Sequence, residues 1–134
     1  MVLTKGAIAW KSKKQASIAT STTEAEYNAL FETSKEVIWL REFASELKID
    51  ISTPSVIYAD NIQANEMCSK NKVTECNKHI RVKQHKIREY VTKGDINVKF
   101  ISSDENSADM LSKALNDPKV INLSQKAGLN PITA

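Results

Sequence analysis

Three carboxylates stand out by position. Glu26 closes Ser21-Thr22-Thr23-Glu24-Ala25-Glu26, which reads as the opening turn of a helix. Asp60 ends the apolar run Ser55-Val56-Ile57-Tyr58-Ala59, and Asp109 follows Asn106-Ser107-Ala108 at the start of a late helix. In an open α/β sheet, strand tips and neighbouring helix starts meet along one edge, where ligands bind. Carboxylates gathered there repel one another unless a hard divalent cation lies between them, and Mg²⁺ favours such oxygen donors. Two such ions about 4 Å apart would suit in-line attack of water on a phosphodiester. Each residue also has a structural reading. Glu26 completes a Thr23-x-x-Glu26 capping box, Asp60 can cap the helix after it, and Asp109 can complement a helix dipole. Only their convergence would favour the chemistry.

The second constellation is cationic. From Lys70 to Lys93 the chain carries eight Lys or Arg against Glu75 and Glu89, a local charge of +6 in a chain whose total is +3. Lys78, Arg81, Gln84 or His85, and Arg88 recur at helical spacing, a stripe suited to phosphates. Lys11, Lys13 and Lys14 add a second basic group near the N-terminus. A basic centre with acidic flanks points to a polyanion, although a solvated helix face has the same composition. Cys68, Cys76, His79 and His85 are soft enough for zinc, but C-x₇-C-x₂-H-x₅-H is no standard zinc spacing.

These residues need elements to position them. Gly6 and Ser12-Lys13-Lys14 bound a weak strand at Ala7–Lys11, which Gln15–Thr20 can continue. Tyr27, Leu30, Phe31, Ser34, Ile38, Leu40, Arg41, Ala44 and Leu47 recur at three- and four-residue steps, predicting one helix with a buried face from Thr23 to about Leu47. Ser55–Ala59 reads as a buried strand, Ile62–Lys70 as a helix and Asn71–Asn77 as a loop. A helix is expected over His79–Lys93, with Ile80, Val82 or Lys83, Ile87, Tyr90 and Val91 inward and Gly94 after its end. Ile96–Ile101 alternates as a half-buried strand. Helices at Ser107–Leu115, capped by Asn106 or Ser107, and from Pro118 to about Ala127, closed by Gly128, complete an α/β layer fold.

At 134 residues, 41% hydrophobic and 26% charged, the chain is one domain's worth of sequence and too apolar for a disordered tail. No apolar run approaches the ~20 residues of a membrane span, and Met1-Val2-Leu3-Thr4-Lys5 lacks a secretory layout. Two cysteines do not make a disulfide scaffold. An intracellular location, cytoplasmic or nuclear, is expected.

The wording of the sequence is more specific than its periodicity. Ala9-Trp10-Lys11-Ser12-Lys13-Lys14-Gln15 and Ser21-Thr22-Thr23-Glu24-Ala25-Glu26-Tyr27-Asn28-Ala29-Leu30 closely resemble the ribonuclease H domain of copia-type retrotransposon Pol polyproteins. So do Tyr58-Ala59-Asp60-Asn61, Lys78-His79-Ile80, Ile87-Arg88-Glu89-Tyr90-Val91 and Asn106-Ser107-Ala108-Asp109-Met110-Leu111-Ser112-Lys113. The resemblance runs from about residue 6 to 115, in the family's order, with 116–134 as a helical tail to a single domain over 1–134.

The resemblance implies a ribonuclease H-like fold and, in intact members, two-metal hydrolysis of the RNA strand of an RNA–DNA hybrid with Mg²⁺ or Mn²⁺. Glu26, Asp60 and Asp109 would be the catalytic and metal-binding carboxylates. Lys11, Lys13, Lys14, Asn61, Lys78, His79, Arg81, His85 and Arg88 would meet nucleic acid. The family's first carboxylate is an Asp on an opening strand, and this chain has no acidic residue before Glu24. The expectation is therefore a fold lacking the first strand and most of the second, binding a hybrid or double strand with weak or no hydrolysis. The missing strand would bare one edge of the Tyr58 strand. The Ala7–Thr20 strand could slide in, or a second copy could pair there by strand exchange or edge pairing. Two rivals follow: an active ribonuclease H completed by dimerisation or a partner, and a domesticated protein-interaction module using the open sheet edge.

Overall fold

A computed structural model describes residues 1–3, 6–12, 14–15, 19, 21–61 and 78–129, without the side chains of 2, 3 and 78–80. The expected helix 62–70, the loop 71–77 and both cysteines lie outside the described residues. The rest divides into two compact units, residues 17–101 and residues 1–16 with 102–134.

In the larger unit, α1 (Thr22–Glu46), β3 (Ser55–Ala59), α2 (Lys78–Thr92) and β4 (Ile96–Phe100) follow in order. β3 and β4 pair in parallel with Ile57 opposite Val98. Parallel neighbours require a crossover connection, and α2 lies within it. α1 packs on β3 and on α2, and α2 packs on β4. Tyr27, Leu30, Val37, Ile57, Ile87 and Ile96 form the core. The α1 spacing thus holds through Tyr27, Leu30 and Ser34. Val37 is the inward residue that the periodicity missed, and Leu47 is exposed. On α2 the choice between Val82 and Lys83 resolves by burial: Val82 is exposed, while Lys83 turns inward to donate to Asn28 Oδ1 at 2.6 Å.

The structure moves the start of α1. Ser21, not Thr23, is the N-cap, and its hydroxyl accepts from the Glu24 amide at 3.1 Å. The sequence holds two overlapping Ser/Thr-x-x-Glu frames. The earlier one adds two helical residues and uses the better capping side chain, so it prevails. Near the other end, the Arg41 guanidinium donates to the carbonyls of Thr53 and Ile51 and to the Ser55 hydroxyl, tying the helix to the entry of β3.

The smaller unit holds a short antiparallel hairpin, β1 (Val2–Leu3) with β2 (Gly6–Ala7), a 3-10 helix at Ser107–Leu111 and α3 (Asp117–Lys126). Asn106 caps the 3-10 helix and Asn116 caps α3. The expected helix to Leu115 stops at Leu111, because residues 112–115 form the approach to the Asn116 cap. Among the described residues of the expected Ala7–Thr20 strand, the ladder begins at Gly6 and includes Ala7, paired with Val2–Leu3. Among the described residues, β4 is the one strand paired with β3. The mixed α/β class expected from the sequence is present: the described residues hold three α-helices and a small parallel sheet, with the hairpin in the smaller unit.

The three described α-helices end in the same way. After α2, the amides of Gly94 and Asp95 reach back to Val91 and Tyr90; after α3, those of Gly128 and Leu129 reach Gln125 and Ser124. After α1, Lys48 and Ile49 do this to Ser45 and Ala44. Each turn needs a left-handed residue, and Lys48 takes it at φ 59° where glycine serves the other two. Lys48→Gly is expected to stabilise the protein by about 0.5–1 kcal/mol, and Gly94→Ala to destabilise it by about 1 kcal/mol. Urea unfolding followed by far-UV ellipticity checks both; a destabilising Lys48→Gly would contradict the strain at this turn.

Candidate functional site

Asp60 directly follows β3, at the C-terminal edge of the parallel pair. That is the edge at which open α/β sheets bind ligands. It is half-buried, as is Asn61 beside it. Glu26 is exposed on α1 in the same unit. Because Ser21 caps this helix, Glu26 falls in the second turn rather than the first, and the capping role that would explain it structurally passes to Glu24.

Asp109 belongs to the smaller unit. Its side chain is 7% exposed and accepts from Lys113 Nζ at 2.8 Å, one turn along. A buried carboxylate gains from such a partner, because a lone buried charge is costly. Lys113 therefore balances Asp109 here, and a divalent cation would share or displace that contact. Within each unit, among the described residues, no three His, Cys, Asp or Glu side chains form a metal-holding group. The donor set itself is hard oxygen, as Mg²⁺ or Mn²⁺ requires. Glu26 and Asp60 lie in the larger unit and Asp109 in the smaller one.

The basic helix is narrower than its composition suggests. Gln84 is buried, which leaves His85 as the exposed choice at that step of the stripe. Lys83 is spent on Asn28, and its ammonium lies over the Phe31 ring. Lys86 and Lys93 both bond to Glu89, at 3.0 and 2.6 Å. Arg81 and His85 face solvent, with Arg88 half-buried one turn on. The side chains of Lys78 and His79 lie outside those described, as does Lys13. Lys11 and Lys14 are exposed in the smaller unit. The sequence signals for a zinc site fall on Cys68, Cys76 and His79, outside the described residues or side chains; of that set, His85 is described.

What the sequence did not single out is the polar link from Asn28 to Lys83 between α1 and α2. Its signal was available: a Lys at an inward step of a helix facing an Asn at an inward step of another.

These features define a mixed α/β protein with a parallel strand pair, a carboxylate at the C-terminal edge of that pair and a basic helix. The chain is 38% identical over 122 residues to the retrovirus-related Pol polyprotein from transposon RE2 of Arabidopsis thaliana, covering 91% of this chain and 8% of that protein. It is 36% identical over 125 residues to the corresponding polyprotein from transposon RE1, with 93% and 8% covered. The Pol polyprotein from transposon TNT 1-94 of Nicotiana tabacum is 44% identical over 110 residues, with 82% and 8% covered. This chain is thus homologous to a short segment of copia-type retrotransposon Pol polyproteins and spans about 8% of their length. No protein-family model matches it, and no solved structure does either. No described helix is long and apolar enough to cross a membrane.

Hydrogen bonds from Lys93 and then Lys86 lower the Glu89 carboxyl from 4.5 to about 2. A depressed folded value stabilises the paired helix end above pH 4.5, and that contribution disappears as pH falls from 4.5 toward 2. The group is exposed, so salt screens the effect. A carboxyl titration by nuclear magnetic resonance should find Glu89 near 2 in dilute salt, rising in Lys93→Met or concentrated salt. A midpoint at 4.5 in dilute salt would contradict the double pairing.

Proposed function

We propose that this chain is a ribonuclease H-like segment of a copia-type Pol polyprotein that binds RNA–DNA hybrid through its basic helix and carries three of the carboxylates of a two-metal site. The observation that carries the reading is the position of Asp60 at the C-terminal tip of a parallel strand, in a chain homologous to a Pol segment. Arg81, His85 and Arg88, with Lys78 and His79 on the same helix, would meet the phosphates. Lys11, Lys13, Lys14 and Asn61 would extend the contact.

The metal part of the reading requires Asp109 to join Glu26 and Asp60. Bound Mg²⁺ or Mn²⁺ would neutralise the gathered charge and activate water toward a phosphodiester. In this reading the three carboxylates form an incomplete two-metal site with weak or no hydrolysis. Full hybrid cleavage then requires a second copy or a partner to complete the site.

A second reading has its own support. Val56 and Tyr58 lie 42% and 57% exposed on one face of β3, whereas parallel sheets are ordinarily covered on both faces. A domesticated interaction module could pair or cover this strand, in a homodimer or with another protein.

Hybrid binding in a filter or anisotropy assay distinguishes the readings. The nucleic-acid reading expects affinity for an RNA–DNA hybrid to fall steeply with salt and about tenfold or more in Arg81→Ala/Arg88→Ala. Slow Mn²⁺-dependent cutting of the RNA strand that disappears in Asp60→Asn would identify the completed enzyme. An oligomer with no hybrid affinity at moderate salt would overturn the nucleic-acid reading in favour of the interaction module.

A further inference from the structure

The outer face of α1 carries a feature that the nucleic-acid reading does not use. Trp39, Phe43 and Leu47 are spaced four apart, so they line one side of the helix. They are 58%, 47% and 56% exposed, and Ile49 just beyond them is 52% exposed. The two rings stack with centroids 5.7 Å apart and planes 7° from parallel. An aromatic pair left in water at this size is a signature of an interface centre rather than of an ordinary surface.

The charges around it select the partner. Glu32, Glu36, Glu42 and Glu46 are all exposed and recur along the same outer side. One cation, Lys35, stands among them and is bonded to Glu32 at 2.8 Å. The last turn of α1 contains no basic residue, so Glu42 and Glu46 add to the negative pole of the helix instead of offsetting it. The helix tolerates an arrangement that a bound cation would relieve.

Phosphate backbones and anionic lipid surfaces are repelled by this face. A second copy laid antiparallel along the same stripe would set Glu against Glu, which disfavours a symmetric pair. We propose that the Trp39–Phe43–Leu47 stripe docks an amphipathic helix of a partner protein whose apolar side bears flanking Lys or Arg. The aromatic pair would fill the apolar side, and Glu36, Glu42 and Glu46 would meet the flanking cations. This surface is acidic and lies on a different helix from the basic stripe, so its role is independent of hybrid binding.

The test uses the full chain and a synthetic amphipathic Lys/Leu helical peptide as the probe, by isothermal titration calorimetry. Binding should weaken at least about tenfold in Trp39→Ser and in Phe43→Ser. It should weaken similarly in Glu42→Lys/Glu46→Lys, which leaves both rings in place, and a Glu/Leu peptide of matched length should not bind. Affinity should fall with salt in the native chain and less so in Glu42→Gln/Glu46→Gln. Unchanged affinity for the Lys/Leu peptide in the ring or charge variants relative to the native chain, or equal binding of the acidic peptide, overturns the proposal. So does a dimer in sedimentation that dissociates on Trp39→Ser, because it would make a second copy the occupant.

Discussion

A pair of parallel strands has no stability of its own, and the larger unit depends on what α1 and α2 lay over β3 and β4. Parallel ladders are joined by long connections and need apolar cover to repay the ordering of those connections. Here the cover comes from Tyr27, Leu30, Val37 and Ile87 closing over Ile57 and Ile96. Two polar devices fix the packing that those side chains drive. Arg41 clamps the end of α1 to the chain entering β3. Lys83 holds α2 to α1 through Asn28. The same register sets Asp60 at the C-terminal edge of the pair, so the candidate site inherits its position from the core.

Charge on this protein is therefore not a uniform coat. On α2, cations that composition alone would count toward a polyanion are committed to Asn28 and Glu89, which concentrates the outward charge near Arg81, His85 and Arg88. On α1 the outer face is acidic and aromatic. Two faces of opposite sign in one unit suit two different partners, each repelled from the other's surface.

Element type and order were legible where a short-range rule acts alone. Ser55–Ala59 and the helix closures at Gly94 and Gly128 follow from apolar runs and left-handed glycines. Boundaries failed where two local rules compete. Ser21 and Thr23 both head a capping frame, and the two added helical residues and the better cap decide between them. Lys48 occupies a glycine-type turn without glycine, so no residue type announced it. The open face of Val56 and Tyr58 depends on neighbours distant in sequence, which periodicity does not report. For the candidate site, the apolar run before Asp60 predicted a strand ending there, and the structure has one. The Lys113 contact of Asp109 was within reach as an i,i+4 pair, whereas its burial was not, because that depends on the packing around the 3-10 helix.

Paramagnetic line broadening by Mn²⁺ is the most direct measure of whether the carboxylates act together. If Glu26, Asp60 and Asp109 share one divalent site, substoichiometric Mn²⁺ should broaden the resonances of all three in parallel, and Asp60→Asn should weaken the effect at the other two. Broadening of scattered surface carboxylates, with these three no more affected than Glu42 or Glu46, would contradict a shared metal site.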